Sequence, residues 1–92
     1  MTRTEGLSTA APFELPQRIL RRLLDDFVLV SDEEIDAATA VMIEKTRNLV
    51  EAAGAAALAG ALKMRDQVRG RKVALICSGG NISPAQLKAL LA

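Results

Sequence analysis

The sequence predicts a helix-rich α/β fold, about two parallel strands covered by helices, and three observations predict it. Phe27–Val30 and Val73–Ile76 are short, continuous apolar runs, the pattern of strands buried on both faces. The segments around and between them repeat apolar residues at helical spacing. Two capping-box signatures, Ser31 with Glu34 and Ser83 with Gln86, mark where helices begin. Two strands joined through helices are expected to be parallel neighbours with a right-handed crossover.

Residues 1–11 read as an irregular or extended lead-in. Pro12 and Pro16 bracket a helix start, because proline is tolerated in the first helical turn. Ile19, Leu20, Leu23, Leu24 and Phe27 then form an apolar stripe, with Arg18, Arg21, Arg22, Asp25 and Asp26 between them. Phe27–Val30 is the first expected strand. In the next helix Asp32, Glu33 and Glu34 suit the positive N-terminal end, and Ile35, Ala38, Met42 and Ile43 supply the buried face. From Leu49 to Leu62 the only charge is Glu51, so this helix has no polar face and calls for cover on all sides. Gly54 and Gly60 let neighbouring backbones approach it, and Gly70 ends the helical stretch. Lys72–Cys77 is the second expected strand. It leads into the loop Ser78-Gly79-Gly80-Asn81, and Ser83 and Pro84 open a last helix to Leu91.

Ninety-two residues make one small domain with a thin core, and much of its apolar half is alanine. Two strands and a few helices cannot cover a parallel sheet on both faces. The apolar helix and the doubly apolar strand therefore point to further protein: a larger parent, a second copy or a partner. A net charge of +1, with no clustered basic surface and only two aromatic residues, argues against nucleic acid and acidic lipid. The alanine-rich run is too short and too weakly hydrophobic for a membrane span. The N-terminus lacks the apolar core of a signal peptide. One cysteine builds no disulfide framework and suits a reducing cytoplasm, the expected location. With no histidine, the usual general base and the commonest metal ligand are missing, and no metal site is expected.

Two places could carry chemistry. Ser78-Gly79-Gly80-Asn81 lies where a strand's carboxyl end meets a helix, the edge where α/β sheets bind ligands, although the same four residues also make an ordinary loop. Glu51 is either a carboxylate facing a partner or a wet cavity, or an acid placed at a helix N-terminus. Cys77 reads as a buried small apolar group rather than a nucleophile, having no histidine to activate it.

Taken together, four segments resemble the threonine dehydratase and serine racemase family. Asp26-Phe27-Val28-Leu29-Val30-Ser31-Asp32-Glu33-Glu34-Ile35 is similar to a typical segment of that family. Asn48-Leu49-Val50-Glu51-Ala52-Ala53-Gly54-Ala55-Ala56-Ala57 resembles its "VEGAGA" helix. Arg71 to Asn81 resembles its terminal "SGGN" strand and loop. Thr4-Glu5-Gly6-Leu7-Ser8, followed by Pro12-Phe13-Glu14-Leu15, looks like its "DGL" segment, with Glu5 in place of the usual aspartate. The match runs in order over nearly the whole chain.

The resemblance implies one partial domain, residues 1–92. This would be the C-terminal segment of the larger, cofactor-binding domain of a fold type II pyridoxal-phosphate enzyme. It implies pyridoxal 5'-phosphate as cofactor and deamination of L-threonine or L-serine to a 2-oxo acid and ammonia. By position, Ser78 would hydrogen-bond the cofactor's pyridine nitrogen, and Gly79 and Gly80 would shape the wall beside the ring. Glu51 matches a pocket-side glutamate, and Gly6 a glycine packed against the ring's face. The family's cofactor-binding lysine, phosphate-cradling loop and metal ligands lie upstream. Among Lys45, Lys63, Lys72 and Lys88, only Lys63-Met64-Arg65 imitates the lysine's setting, and its flanks do not match. No catalytic residue is therefore expected here, and the isolated chain is expected to be silent. Its partners would be the rest of the catalytic domain or a homo-oligomer partner, and a small amino acid in the parent. The alternatives are a free-standing interaction module or one half of a split enzyme. The absence of an appended effector-binding domain leans towards the unregulated type.

Overall fold

The structure is a computed structural model that describes residues 2–92. After a short 3-10 turn at Glu5–Leu7 come five helices: α1 (Glu14–Leu23), α2 (Asp32–Thr46), α3 (Ala52–Lys63), α4 (Arg65–Val68) and α5 (Pro84–Leu91).

The centre of the molecule is the α2–α3 pair, with the 3-10 turn against α3 and α5 against α2. Its start is set by chemistry local to the chain. The Ser31 hydroxyl accepts from the Glu34 amide at 3.1 Å, and the Glu34 carboxylate accepts from the Ser31 amide at 2.9 Å. That reciprocal pair satisfies two amides the first turn would otherwise leave free. α2 ends at Arg47, a non-glycine residue in the left-handed region with φ of 59°. Ile35, Ala38, Val50, Ala55 and Ala59 form the core, and Met42 and Leu58 pack against it half-buried. Ile35 and Val50 each contribute about 1.5–3 kcal/mol of burial, while the three alanines contribute close packing more than area. Thr39, also buried, donates its hydroxyl proton to the Ile35 carbonyl at 2.7 Å, so its hydroxyl is satisfied.

The lead-in is tied to α2. Asp32 accepts from the Thr2 hydroxyl and from the Arg3 amide, and the Arg3 guanidinium reaches Asp36 at 2.9 Å. Thr4 is thereby buried. The expected irregular lead-in thus contains one turn of 3-10 helix.

The two expected parallel strands are not formed in this chain by itself. No strand occurs among the described residues, and no backbone hydrogen bond joins Phe27–Val30 to Lys72–Cys77. A strand is a pairing of backbones, and among the described residues neither segment is hydrogen-bonded to another backbone. Phe27, Leu29, Val73, Leu75 and Ile76 are accordingly exposed. Cys77 is exposed as well, against the expectation that it is buried. The stripe expected to reach Phe27 stops earlier, since α1 ends at Leu23 and Leu24 turns to extended backbone. α1 packs on no other element, so nothing rewards prolonging it. The expected single helical stretch up to Gly70 is broken at Met64, with Gly70 at φ 76° beyond α4.

The accessible surface is 7505 Å², whereas a compact chain of 9.8 kDa exposes about 5,200 Å². The radius of gyration, 14.0 Å, also exceeds the ~12 Å of a compact chain of this length.

Candidate cofactor-facing site

Three segments far apart in sequence meet at the N-terminus of α3. Glu51 is its N-cap residue, in extended backbone, and is half-buried. Its side chain does not cap its own helix. Its carboxylate Oε1 instead accepts from the Asn81 amide at 3.3 Å, while its own amide donates to the Gly79 carbonyl at 3.3 Å. One residue therefore ties the helix start to both ends of the Gly79–Asn81 turn.

The glycines there are required by space. A methyl group on Gly79 would overlap the Glu51 carboxylate, and one on Gly80 would lie 2.7 Å from the Leu49 carbonyl oxygen. On Gly54 it would meet the Gly79 carbonyl and come within 3.2 Å of the Gly79 nitrogen. On Gly6 it would stand 2.7 Å from the Ala53 methyl and 3.9 Å from Glu51 Oε2. Gly60, by contrast, has open space where a side chain would go. Of the two helical glycines expected to admit a close backbone, Gly54 does so and Gly60 does not.

The structure thus brings Gly6, Glu51, Gly79 and Gly80 into one neighbourhood. Ser78, next in the chain, is exposed, and among the described residues its hydroxyl makes no hydrogen bond. Both readings of Glu51 are met in part: it stands at the helix N-terminus without capping it, and its carboxylate has a polar partner and borders a cavity. The sequence reading named Asn81 only as part of the loop, with no role of its own, and Gly54 only as a packing glycine. The one glycine of the "VEGAGA"-like segment, at the place of that motif's second glycine, was the available signal for Gly54. The Asn81 contact is made by its backbone, which no side-chain pattern reveals.

A cavity of about 220 Å³ opens beside this junction, lined among others by Arg3, Thr39, Glu51, Asn81, Gln86 and Leu90. Among the described residues, Arg3 is its one cation and is paired with Asp36, and no lysine lines it. Lys63 lies elsewhere, donating to the Leu29 carbonyl at 2.7 Å and to Glu34 at 3.3 Å. The ion pair and, above all, the Ser31 amide hold the Glu34 carboxyl below the ordinary carboxylate value. Lys63 is thus a tether between α3 and the segment before α2. No group of three or more metal-binding side chains occurs among the described residues. No helix of the described residues is long and apolar enough to cross a membrane.

Residues 1–79 match the family model of the pyridoxal-phosphate dependent enzymes. The chain belongs to this family.

Its relatives include the L-threonine ammonia-lyase of Thermotoga maritima, 36% identical over 88% of this chain and 20% of that protein. The catabolic L-threonine dehydratase of Escherichia coli strain K12 is 39% identical over 88% of this chain and 25% of its own length. The L-threo-3-hydroxyaspartate ammonia-lyase of Saccharomyces cerevisiae is 31% identical over 98% of this chain and 28% of that protein. The chain thus spans about a quarter of the length of the curated relatives it matches. The family is one of α/β enzymes that depend on pyridoxal phosphate, and the relatives named here are lyases of hydroxy amino acids.

The residues present fit one side of such a cofactor. A neutral hydroxyl and a glycine edge without side chains stand together, backed by a carboxylate held at a fixed place. They do not fit its covalent anchor: among the described residues no lysine lines the adjoining cavity.

Proposed function

We propose that this chain is the C-terminal portion of a pyridoxal-phosphate-dependent L-threonine or L-serine dehydratase, supplying one wall of the cofactor cleft. The observation that carries the reading is the meeting of Gly6, Glu51, Gly79 and Gly80 at the start of α3, each glycine excluded from carrying a side chain. Ser78 would donate its hydroxyl proton to the pyridine nitrogen. Its neutral hydroxyl leaves that nitrogen largely unprotonated, which is how a protein tunes this cofactor. Gly79 and Gly80 form the wall beside the ring, and Gly6 lies against its face. When bound, the cofactor would supply an electron sink for loss of the α-proton and β-hydroxyl of the substrate, the overall reaction being deamination to a 2-oxo acid and ammonia.

The chain's partner is the lysine-bearing remainder of the catalytic domain. The excess of about 2,300 Å² of accessible surface over a compact chain supports this, as does the uncovered apolar face of α1. Phe27–Val30 and Lys72–Cys77 become strands when that remainder supplies backbones to pair with. The same uncovered surface favours a second reading, association of copies of this chain into a non-catalytic module. Substrate preference between threonine and serine resides in the remainder.

The test mixes the chain with pyridoxal 5'-phosphate and L-threonine or L-serine, alone and with a separately produced lysine-bearing segment of the E. coli dehydratase. The oxo acid is the readout. Alone, the chain stays at the free-cofactor background; the mixture exceeds both components, and Ser78→Ala in the mixture reduces the gain. Turnover by the chain alone refutes the reading. A self-associated chain that gives no gain with the segment supports the module instead.

A further inference from the structure

We infer that Glu51 is a positioning residue whose carboxylate holds the Ser78–Asn81 loop in place, rather than a group reserved for proton transfer in the cleft. The consequence for the cofactor rests on the reading of Ser78 given above, whereas the geometry does not. Three contacts converge on this one residue. Its amide donates to the Gly79 carbonyl at 3.3 Å, its Oε1 accepts from the Asn81 amide at 3.3 Å, and the same oxygen lies where a Gly79 side chain would stand. The backbone bond fixes one end of the turn and the carboxylate the other. A loop held at only one end would be free to pivot, and the Ser78 hydroxyl would move with it.

The sequence gives the loop little stiffness of its own. Gly79 and Gly80 are adjacent, and neither brings a side chain to pack. No described residue other than Glu51 offers a side-chain acceptor to the Gly79–Asn81 amides. Glu51 can do this because it is the N-cap of α3 and its carboxylate is not used on its own helix. Its distance from that role at the helix start leaves both oxygens for neighbours: Oε1 for the loop and Oε2 on the Gly6 side, 3.9 Å from where a Gly6 side chain would begin. The helix start and the loop are thus registered through one residue. The requirement is for an acceptor oxygen at this position, not for a proton that comes and goes.

The experiment reads backbone order by ¹⁵N relaxation on the complete 92-residue chain without cofactor, in wild type, Glu51→Ala, Glu51→Gln and Gly79→Ala. In wild type, Gly79, Gly80 and Asn81 should have order parameters near the rigid value of about 0.85. Glu51→Ala should lower them below about 0.6, the range of flexible backbone, while amides in the interior of α2 keep their values. Glu51→Gln, which retains an acceptor oxygen at the same reach, should restore the loop. Gly79→Ala, which displaces the carboxylate, should loosen Asn81 with Glu51 still present. A wild-type loop already below about 0.6, or a Glu51→Ala loop as ordered as wild type, overturns the inference. So does a Glu51→Gln loop as loose as that of Glu51→Ala, because the charge rather than the acceptor would then matter. If Glu51→Ala fails to fold, the Glu51→Gln and Gly79→Ala comparison decides alone. Cofactor binding or turnover bears only on the proposed function, so the two can fail separately.

Discussion

Two alanine substitutions in one helix should act in opposite directions. In an exposed helix interior, replacing glycine by alanine gains about 1 kcal/mol through backbone entropy alone. At Gly60 the new methyl meets nothing within 4 Å, so Gly60→Ala should keep that gain. At Gly54 the methyl would overlap the Gly79 carbonyl and stand 3.1 Å from Val50 Cγ1. Val50 can rotate, but the carbonyl belongs to a backbone that accepts from the Glu51 amide. Moving it costs that hydrogen bond, about 1 kcal/mol, on top of the ~1–3 kcal/mol typical of overpacking. Gly54→Ala should therefore lose about 1–3 kcal/mol net of the propensity gain. Urea unfolding followed by far-ultraviolet circular dichroism separates the two. With an m value of about 1 kcal/mol/M, the Gly60→Ala midpoint rises by roughly 1 M and the Gly54→Ala midpoint falls by at least as much. Equal stabilisation by both substitutions would refute the contact between α3 and the Gly79 backbone, and with it the geometry of the site.

Arg47→Gly should stabilise the chain by about 0.5–1 kcal/mol, because the left-handed residue closing α2 carries a Cβ that glycine lacks; a lower urea midpoint would contradict this. The lead-in makes stability depend on acid. The Thr2 hydroxyl first, and the Arg3 amide next, hold the Asp32 carboxyl below its ordinary value of 3.8. A depressed folded-state value means that this stabilisation is fully present above 3.8 and is lost as pH falls through the lower, folded value. Asp32→Asn should flatten the fall in urea midpoint on acidification without abolishing it, since Glu34 is shifted in the same direction. An unchanged pH profile would show that Asp32 is not engaged.

What the sequence made legible, and what it did not, follows from the range of the forces involved. α2 and α5 could be read to their first residues because each capping box closes within one turn, Ser31 on Glu34 and Ser83 on Gln86. The pairing of α2 with α3 was seen only in the structure, but the buried face of α2, with Ile35 and Ala38, followed from periodicity. The strands did not, since Phe27–Val30 and Lys72–Cys77 have strand composition but need partner backbones, which composition cannot supply. Cys77 is exposed for the same reason. Gly54 and Gly60 look alike in sequence, and only the arrival of a distant carbonyl distinguishes them. At the site, Gly6, Glu51 and the Gly79-Gly80 pair were marked out by their likeness to family segments. That Glu51 and Asn81 are bonded through a backbone amide was visible only in three dimensions.

The most direct test of the whole account maps where the cofactor is bonded. The chain is mixed with the lysine-bearing segment of the E. coli dehydratase and pyridoxal 5'-phosphate, reduced with borohydride during turnover, digested and analysed by mass spectrometry. The account predicts a stoichiometric adduct on a lysine of the added segment. A stoichiometric adduct on Lys45, Lys63, Lys72 or Lys88 would contradict it.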